Sequence, residues 1–303
     1  MNRLTLSVVM ITYKHGNLIE EAINSILIQE TNFNFELIIS DDNSPDDTNE
    51  IVEKIIKSHN KGDFIKYKKH SQNKGMMPNF IWALNQAKGE YIAICEGDDY
   101  WTDPQKLQKQ VDFLETNNSF VLSFHNVWNL YSDGSKKEFY NYKNLDFKSS
   151  DLWDNWIIPT ASVVFRNVLN FNELEKVSGT HGDLALFLLL GEYGQYHCIN
   201  EIMGVYRIHD LGVTQVSFKT INHRIQHLEQ LDKINEYFNR KYDKKIRIRS
   251  VSYCLSISYL ESKNLEKKIA LNYVIRSFKY SFIKSLTSKY FYATILNIFL
   301  KWK

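Results

Sequence analysis

The sequence predicts an α/β protein, a mostly parallel central sheet flanked by helices, followed by a helical C-terminal extension. Three observations carry this. Short apolar runs alternate with amphipathic runs through the first half of the chain, turns rich in Asp, Asn and Gly separate them, and from about Val216 onward Gly and Pro almost disappear. The length of 303 residues suits one large domain with an appendage, and 44% hydrophobic with 24% charged residues is a globular composition.

Leu6 to Tyr13 (LSVVMITY) reads as a buried strand, and Ile19, Ala22, Ile23, Ile26 and Leu27 then recur on one face of a helix. Phe35 to Ser40 is the second strand, with Asp41-Asp42-Asn43-Ser44-Pro45 as its exit turn. Ile51, Val52, Ile55 and Ile56 mark the next helix. A third strand near Phe64 to Lys68 leads to Asn73-Lys74-Gly75, and Pro78 fits the first turn of a helix carrying Phe80, Ile81 and Leu84. Tyr91 to Cys95 is the fourth strand. It runs into Glu96-Gly97-Asp98-Asp99-Tyr100-Trp101, and Asp103-Pro104 reads as the cap and first residue of a helix with Leu107, Val111 and Leu114. Farther on, strands are expected at Phe120 to Phe124, Thr160 to Phe165, Tyr196 to Ile199 and Met203 to Ile208, with a helix at Leu184 to Leu190 among them. The spacing of Ile275, Phe278, Phe282 and Leu286 continues a helix in the extension. The division falls near residue 215, giving domains 1–215 and 216–303, and no repeat or low-complexity segment stands out.

Cys95, Cys198 and Cys254 are odd in number and far apart, so neither a disulfide framework nor a thiolate metal site is indicated. The N-terminus enters a strand-like run with no separate signal segment, and a reduced, cytoplasmic setting is expected. The net charge of +2 conceals an asymmetry. Lys241 to Lys303 holds 14 Lys/Arg against 3 Asp/Glu, and the preceding chain 23 against 32. An acidic body suits a cation. The basic tail, interleaved with aromatic residues, suits the anionic inner face of a membrane, where the chain would sit peripherally, and Tyr290 to Leu300 is too short to span a bilayer. No nucleic-acid motif accompanies the charge.

In open parallel sheets, loops and helix N-termini converge at the carboxyl ends of the strands. Asp41-Asp42, Glu96-Gly97-Asp98-Asp99 and Asp183 all occupy such positions. Neighbouring carboxylates repel, and a hard divalent cation relieves that repulsion. Neither G-x-x-x-x-G-K-[ST] nor G-x-G-x-x-G is present, so a diphosphate bound here would be neutralised by metal rather than by a glycine loop.

The ordered set Val8-Val9-Met10-Ile11-Thr12-Tyr13, EAINSILIQ, LIISDDNSPDDT, Asn73-Lys74-Gly75, Ala87-Lys88-Gly89-Glu90-Tyr91-Ile92 and CEGDDYW resembles the family 2 glycosyltransferases over roughly the first 210 residues. That resemblance implies the GT-A fold and an inverting transfer from a nucleotide-sugar, a UDP-sugar first of all, to a hydroxyl of a glycan or lipid-linked glycan. Surface-polysaccharide assembly is the setting it suggests. It further implies that Tyr13, with Thr12 beside it, flanks the base, that Asp42 accepts the uracil N–H with Asp41 helping, and that Lys74 belongs to the nucleotide-binding set. Glu96, Asp98 and Asp99 occupy the DXD-type position that binds ribose and Mn²⁺ or Mg²⁺, with Asp98 and Asp99 the leading metal ligands; Glu96 stands where the family more often has Asp. Gly179-Thr180-His181-Gly182-Asp183-Leu184 resembles the segment of the catalytic base, here Asp183. Val205-Tyr206-Arg207-Ile208-His209 resembles the segment whose histidine, His209, lies near metal or diphosphate, with Arg207 a second phosphate contact.

Each residue also has an ordinary structural reading. Asp41-Asp42 would serve a turn, Asp183 a helix cap, His209 a satisfied buried imidazole, Cys95 the core, and Trp101, Trp153 and Trp156 packing rather than sugar stacking. Two other functions compete. A non-catalytic nucleotide-sugar or glycan-binding protein would keep the pocket without turnover, and a sugar-phosphate nucleotidyltransferase would need a glycine-rich basic loop, for which Tyr13-Lys14-His15-Gly16-Asn17 supplies a single glycine.

Overall fold

The computed structural model describes residues 4–209, 212 and 220–300. Two compact units are distinguished, Met1–Glu175 with Asp183–His209, and Lys176–Gly182 with Asp210–Lys303. The boundary expected near residue 215 lies outside the described residues. The short segment Lys176–Gly182, counted with the first domain in the sequence reading, groups with the second unit.

In the first unit the strands are β1 (Leu4–Thr12), β2 (Asn34–Asp41), β3 (Ile65–Lys69), β4 (Tyr91–Ile94), β5 (Tyr100–Trp101), β6 (Phe120–Tyr131), β7 (Lys136–Glu138), β8 (Asp146–Phe147), β9 (Val164–Arg166) and β10 (Gln195–Ile208). They form one sheet in the order β3-β2-β1-β4-β9-β6-β10-β5, with β7 on β6 and β8 on β10. The long ladders β1/β2, β2/β3, β1/β4 and β6/β10 are parallel, while β9 inserts antiparallel between β4 and β6. Strand order reverses at β1, which leaves a crevice beyond the carboxyl ends of β1 and β4.

The helices here are α1 (Ile19–Leu27), α2 (Thr48–Ser58), α3 (Met76–Gln86), α4 (Lys106–Thr116), α5 (Glu173–Val177) and α6 (Gly182–Leu190). α1 shows why the pattern works. Ile19, Ala22, Ile23, Ile26 and Leu27 are all buried in the main core while Glu20 and Glu21 stay in solvent, and each buried Ile or Leu contributes about 1.5–3 kcal/mol. α6 is different. Leu184 to Leu190 are all buried, so this helix has no polar face.

Four details depart from the sequence reading. The strands expected at Tyr196 to Ile199 and Met203 to Ile208 are one bulged strand, β10, because the register shift near Ile202 keeps the ladder with β6 intact. The strand expected from Thr160 opens as a single 3₁₀ turn, Thr160–Ser162, before β9. α4 begins at Lys106 rather than Pro104, since Asp103 forms a turn by accepting the Gln105 N–H at 2.8 Å. Asp183 lies inside the first turn of α6 rather than ahead of it.

The second unit contains α7 (Ile221–Tyr237), α8 (Asp243–Lys263), α9 (Lys267–Tyr280), α10 (Phe282–Leu286) and α11 (Lys289–Leu300). Val251 and Leu255 of α8 pack with Val274 of α9, and Phe278 and Phe291 close over them. The helix expected to continue through Leu286 breaks at Ser281, which is extended at φ −163°; its hydroxyl accepts the Lys284 N–H and restarts the chain as α10. The segment 176–182 is held on α7 by Gln230, whose amide donates to the carbonyl of His181 at 2.7 Å and accepts the His181 N–H at 3.1 Å.

Candidate active site

β1, β4 and β10 bring their ends to one place. After β4 the chain still pairs with β1, the Cys95 N–H on Val9 and the Gly97 N–H on Ile11, and then closes a turn through the Asp99 N–H on the Glu96 carbonyl at 3.1 Å. Gly97 sits so close to β1 that a Cβ there would stand 2.8 Å from Thr12 Oγ1 and 3.0 Å from His15 Nδ1. The glycine between Glu96 and Asp98 is thus a steric requirement of this turn.

The three carboxyls of the turn have different surroundings. Asp98 lies between two imidazoles, with His209 Nε2 at 3.1 Å and His15 Nε2 at 3.8 Å from its Oδ2. Burial works to raise the Asp98 carboxyl, but the His209 hydrogen bond and the charges of both histidines outweigh it and hold the group below the usual carboxylate range. Asp99 accepts the Arg207 backbone N–H at 2.9 Å, and burial followed by the charges of Asp98 and Glu96 pushes it well up. Burial, then Asp98, moves Glu96 up to about 8, and Asp183 also contributes. Asp183 therefore lies within electrostatic reach of the turn. Its own carboxyl is raised by burial, accepts the Leu184 N–H at 2.8 Å and receives the Thr160 hydroxyl at 3.2 Å.

Three buried polar atoms face this place with no partner among the described residues: Thr12 Oγ1, His15 Nδ1 and Glu96 Oε2. Unsatisfied groups of this kind are costly in a core and ordinary in a site that awaits a ligand. Oxygen and imidazole donors suit a divalent cation such as Mn²⁺ or Mg²⁺. Among the described residues, however, no group of three or more His, Cys, Asp or Glu side chains is gathered to hold an ion alone.

At the end of β2 the two aspartates are anchors. Asp41 is fully buried and accepts the Ser44 N–H and the Tyr67 hydroxyl, both at 2.7 Å. Asp42 accepts the backbone N–H groups of Lys74 at 2.6 Å and Gly75 at 2.9 Å, which fixes the Asn73-Lys74-Gly75 loop; Gly75 adopts φ +87° there. The Lys74 side chain is exposed. Tyr13 remains 39% exposed with the Lys14 ammonium 5.1 Å from its ring centroid, so one aromatic face is offered at the mouth of the crevice.

Two expected residues are engaged differently. Arg207 was expected at a phosphate, yet its guanidinium donates to the Asp98 carbonyl at 2.7 Å, pairs with Glu21 and stacks on Tyr100 at 4.3 Å, so it fastens β10 to the acidic turn. Asp99, expected beside Asp98 as a metal ligand, has one oxygen committed to the Arg207 backbone. Trp101 packs, with Nε1–H on the Ala161 carbonyl and the Lys106 ammonium 3.7 Å over its ring. His15 went unnoticed in the sequence. A lone histidine three residues past a strand end carries no pattern, and only the approach of Gly97 and Asp98 gives it a place.

Comparison with known proteins follows the same outline. The glycosyl transferase family 2 profile matches residues 7–187. The uncharacterized protein Rv1520 of Mycobacterium tuberculosis is 34% identical over 210 residues, covering 69% of this chain and 60% of its own length, so the chain spans about three fifths of that relative. The putative teichuronic acid biosynthesis glycosyltransferase TuaG of Bacillus subtilis is 26% identical over 71% of this chain and 83% of its own. The UDP-Glc:alpha-D-GlcNAc-diphosphoundecaprenol beta-1,3-glucosyltransferase WfaP of Escherichia coli is 37% identical over 41% of this chain and 46% of its own. Among solved structures, TarS of S. aureus (residues 1–349, in complex with UDP-GlcNAc) superposes with a TM-score of 0.62 at 14% identity, over 94% of this chain and 91% of that one. The mannosyltransferase PcManGT of Pyrobaculum calidifontis, in complex with GDP-Man and Mn²⁺, gives 0.53 at 15% identity, over 99% and 88%. The fold is that of the GT-A glycosyltransferases, and this chain belongs to glycosyl transferase family 2.

Proposed function

We propose that the chain is an inverting glycosyltransferase that moves a sugar from a UDP-sugar to a hydroxyl of a glycan or lipid-linked glycan, with Asp183 as base and Asp98 and His209 facing a divalent cation. The observation that carries this is the acidic turn at the strand-order reversal, where Asp98 lies between two histidines and the charge of the half-buried Asp183 reaches Glu96. The names of similar proteins support the substrates. WfaP is named for UDP-Glc and a diphosphoundecaprenol-linked acceptor, and TarS and PcManGT are described with UDP-GlcNAc and with GDP-Man and Mn²⁺.

Asp98 and His209 would hold a Mn²⁺ or Mg²⁺ together with the donor's phosphates, as is common for Mg²⁺ sites. When bound, such an ion supplies positive charge to the departing diphosphate. The rest falls to the chain. Thr12 Oγ1 and Glu96 Oε2 are free to meet the ribose side of the donor, and the exposed Tyr13 face the base. Asp42 holds the 73–75 loop and retains acceptor capacity for the imide N–H. Asp183 takes the proton of the acceptor hydroxyl as its oxygen bonds to the anomeric carbon, and the bond from that carbon to the diphosphate oxygen breaks with its electron pair leaving on the nucleotide. Burial raises the basicity of Asp183, which suits it to that proton. A single displacement with one base inverts the anomeric centre.

Calorimetric titration of the chain with UDP, GDP and TDP, with and without Mn²⁺, tests the reading. Mn²⁺-dependent UDP binding that Asp98→Asn abolishes is the expected result, and no binding by any of the three nucleotides overturns the donor assignment.

A further inference from the structure

From Lys267 to Lys303 the sequence contains eight Lys or Arg residues and no Asp or Glu. Over the same helices the structure leaves apolar side chains in solvent. Nine of the seventeen exposed large apolar residues among those described fall between Leu265 and Leu296. The extreme is the start of α10, where Phe282 is 59% and Ile283 75% exposed, flanked by exposed Lys279 and Lys284. Leu271 and Ile275, one turn apart on α9, and Tyr292 and Leu296, one turn apart on α11, are exposed as well.

This arrangement is not an accident of a loose fold. The same helices bury Val274 and Ser277, and the Phe278 ring packs at a tilt against Phe282 and Phe291, so the exposed set is what remains after the helices have packed. Exposed apolar patches of this extent mark interaction sites. Their partner must accept aliphatic and aromatic groups while welcoming a field of one sign. A second copy would set cations against cations. Nucleic acid would satisfy the lysines, but it has little to offer Ile283, Leu271 and Leu296. A bilayer carrying anionic lipids satisfies both, since acyl chains take the apolar tips and headgroups take the lysines. Among the described residues no helix is long and apolar enough to cross a membrane, so the contact is with one face.

We propose that the Phe282–Ile283 corner, framed by Lys279 and Lys284, is the element by which this chain docks on an anionic lipid bilayer. The docking is independent of whether sugar transfer occurs at the site between the strands.

Flotation of the full chain with vesicles of phosphatidylcholine alone, or with about one third phosphatidylglycerol, tests the proposal. Binding to the anionic vesicles only, falling with salt, is expected. Phe282→Ser/Ile283→Ser should lower it about tenfold, and so should Lys279→Glu/Lys284→Glu. Circular dichroism on each variant reports the fold, and UDP calorimetry reports the donor site separately. Equal association of native and substituted chains with the anionic vesicles, or no preference for anionic lipid, overturns the proposal. A change of oligomeric state in light scattering on Phe282→Ser/Ile283→Ser, with vesicle binding unaltered, assigns the corner to a second copy instead.

Discussion

In the first unit three carboxyls stand within four residues, Glu96 to Asp99, one buried and two half-buried, whereas the second unit carries eight cations and no acid from Lys267 onward and, beside its own small core, leaves nine large apolar groups between Leu265 and Leu296 in solvent. The contrast shows how far each kind of charge constrains structure. A carboxyl taken out of water must find donors, so Asp98, Asp99, Asp41 and Asp42 each have a specific partner. A solvated lysine needs none, and the second unit differs from the first in the composition of its surface rather than in its buried polar contacts.

The largest effect that would sharpen this contrast is at Asp183. Asp183→Asn should reduce turnover by about 10²- to 10⁴-fold while UDP binding stays at the native level. Retained turnover would make Asp183 a packing group and leave the base elsewhere. Next comes acid stability in the second unit, where His181 and His227 pack at 4.2 Å between ring centroids. Burial, then a neighbouring histidine, brings His181 down to about 4, and burial, then His181, brings His227 down to about 2. Both lie below the unfolded value of 6.5, so the unfolded chain takes up these protons first. Stability is full above pH 6.5 and falls between 6.5 and 4, by up to about 2 kcal/mol per imidazole at pH 5. Denaturant midpoints measured from pH 7 to 5 should show the slope, and His227→Leu should flatten it; an unchanged slope would mean that the imidazoles are protonated where they stand.

A smaller effect is expected at His15, the residue without a sequence signature. His15→Ala should weaken Mn²⁺-dependent UDP binding about tenfold, the loss of one charge-assisted contact, with little change in melting temperature. Native affinity would reduce His15 to a spacer. Smallest is Ile283→Ser, which should alter stability by less than about 0.5 kcal/mol in thermal melts, because a side chain 75% in solvent has little packing to lose. A drop of several kcal/mol there would show that the corner belongs to a core after all.

Much of this was legible in one dimension because it depends on short-range periodicity. β1, β2 and β4 are continuous apolar runs, α1 repeats every three to four residues, and the order of strands, acidic turns and helices carried the family. Where long-range pairing decides, the reading faltered. β10 is a single strand because β6 lies beside it for its whole length, and nothing between Ile199 and Met203 announces that. The helix through Phe282 obeys its spacing on both sides of Ser281, yet one extended residue with its own capping hydroxyl breaks it.

The same division runs through the site. Sequence by itself determined which residue types would gather at the strand ends, since β-strand exits, their acidic turns and the glycine of the Glu96–Asp99 turn are local features. Three-dimensional packing sets which carboxyl is pushed up and which is held down, because that depends on who stands opposite. Asp98 has two imidazoles from positions 83 and 111 residues away, Asp99 has the backbone of β10, and Arg207 meets Glu21 and Tyr100. Charge state and partner are set by burial and distance in space, quantities that a linear order of residues does not contain.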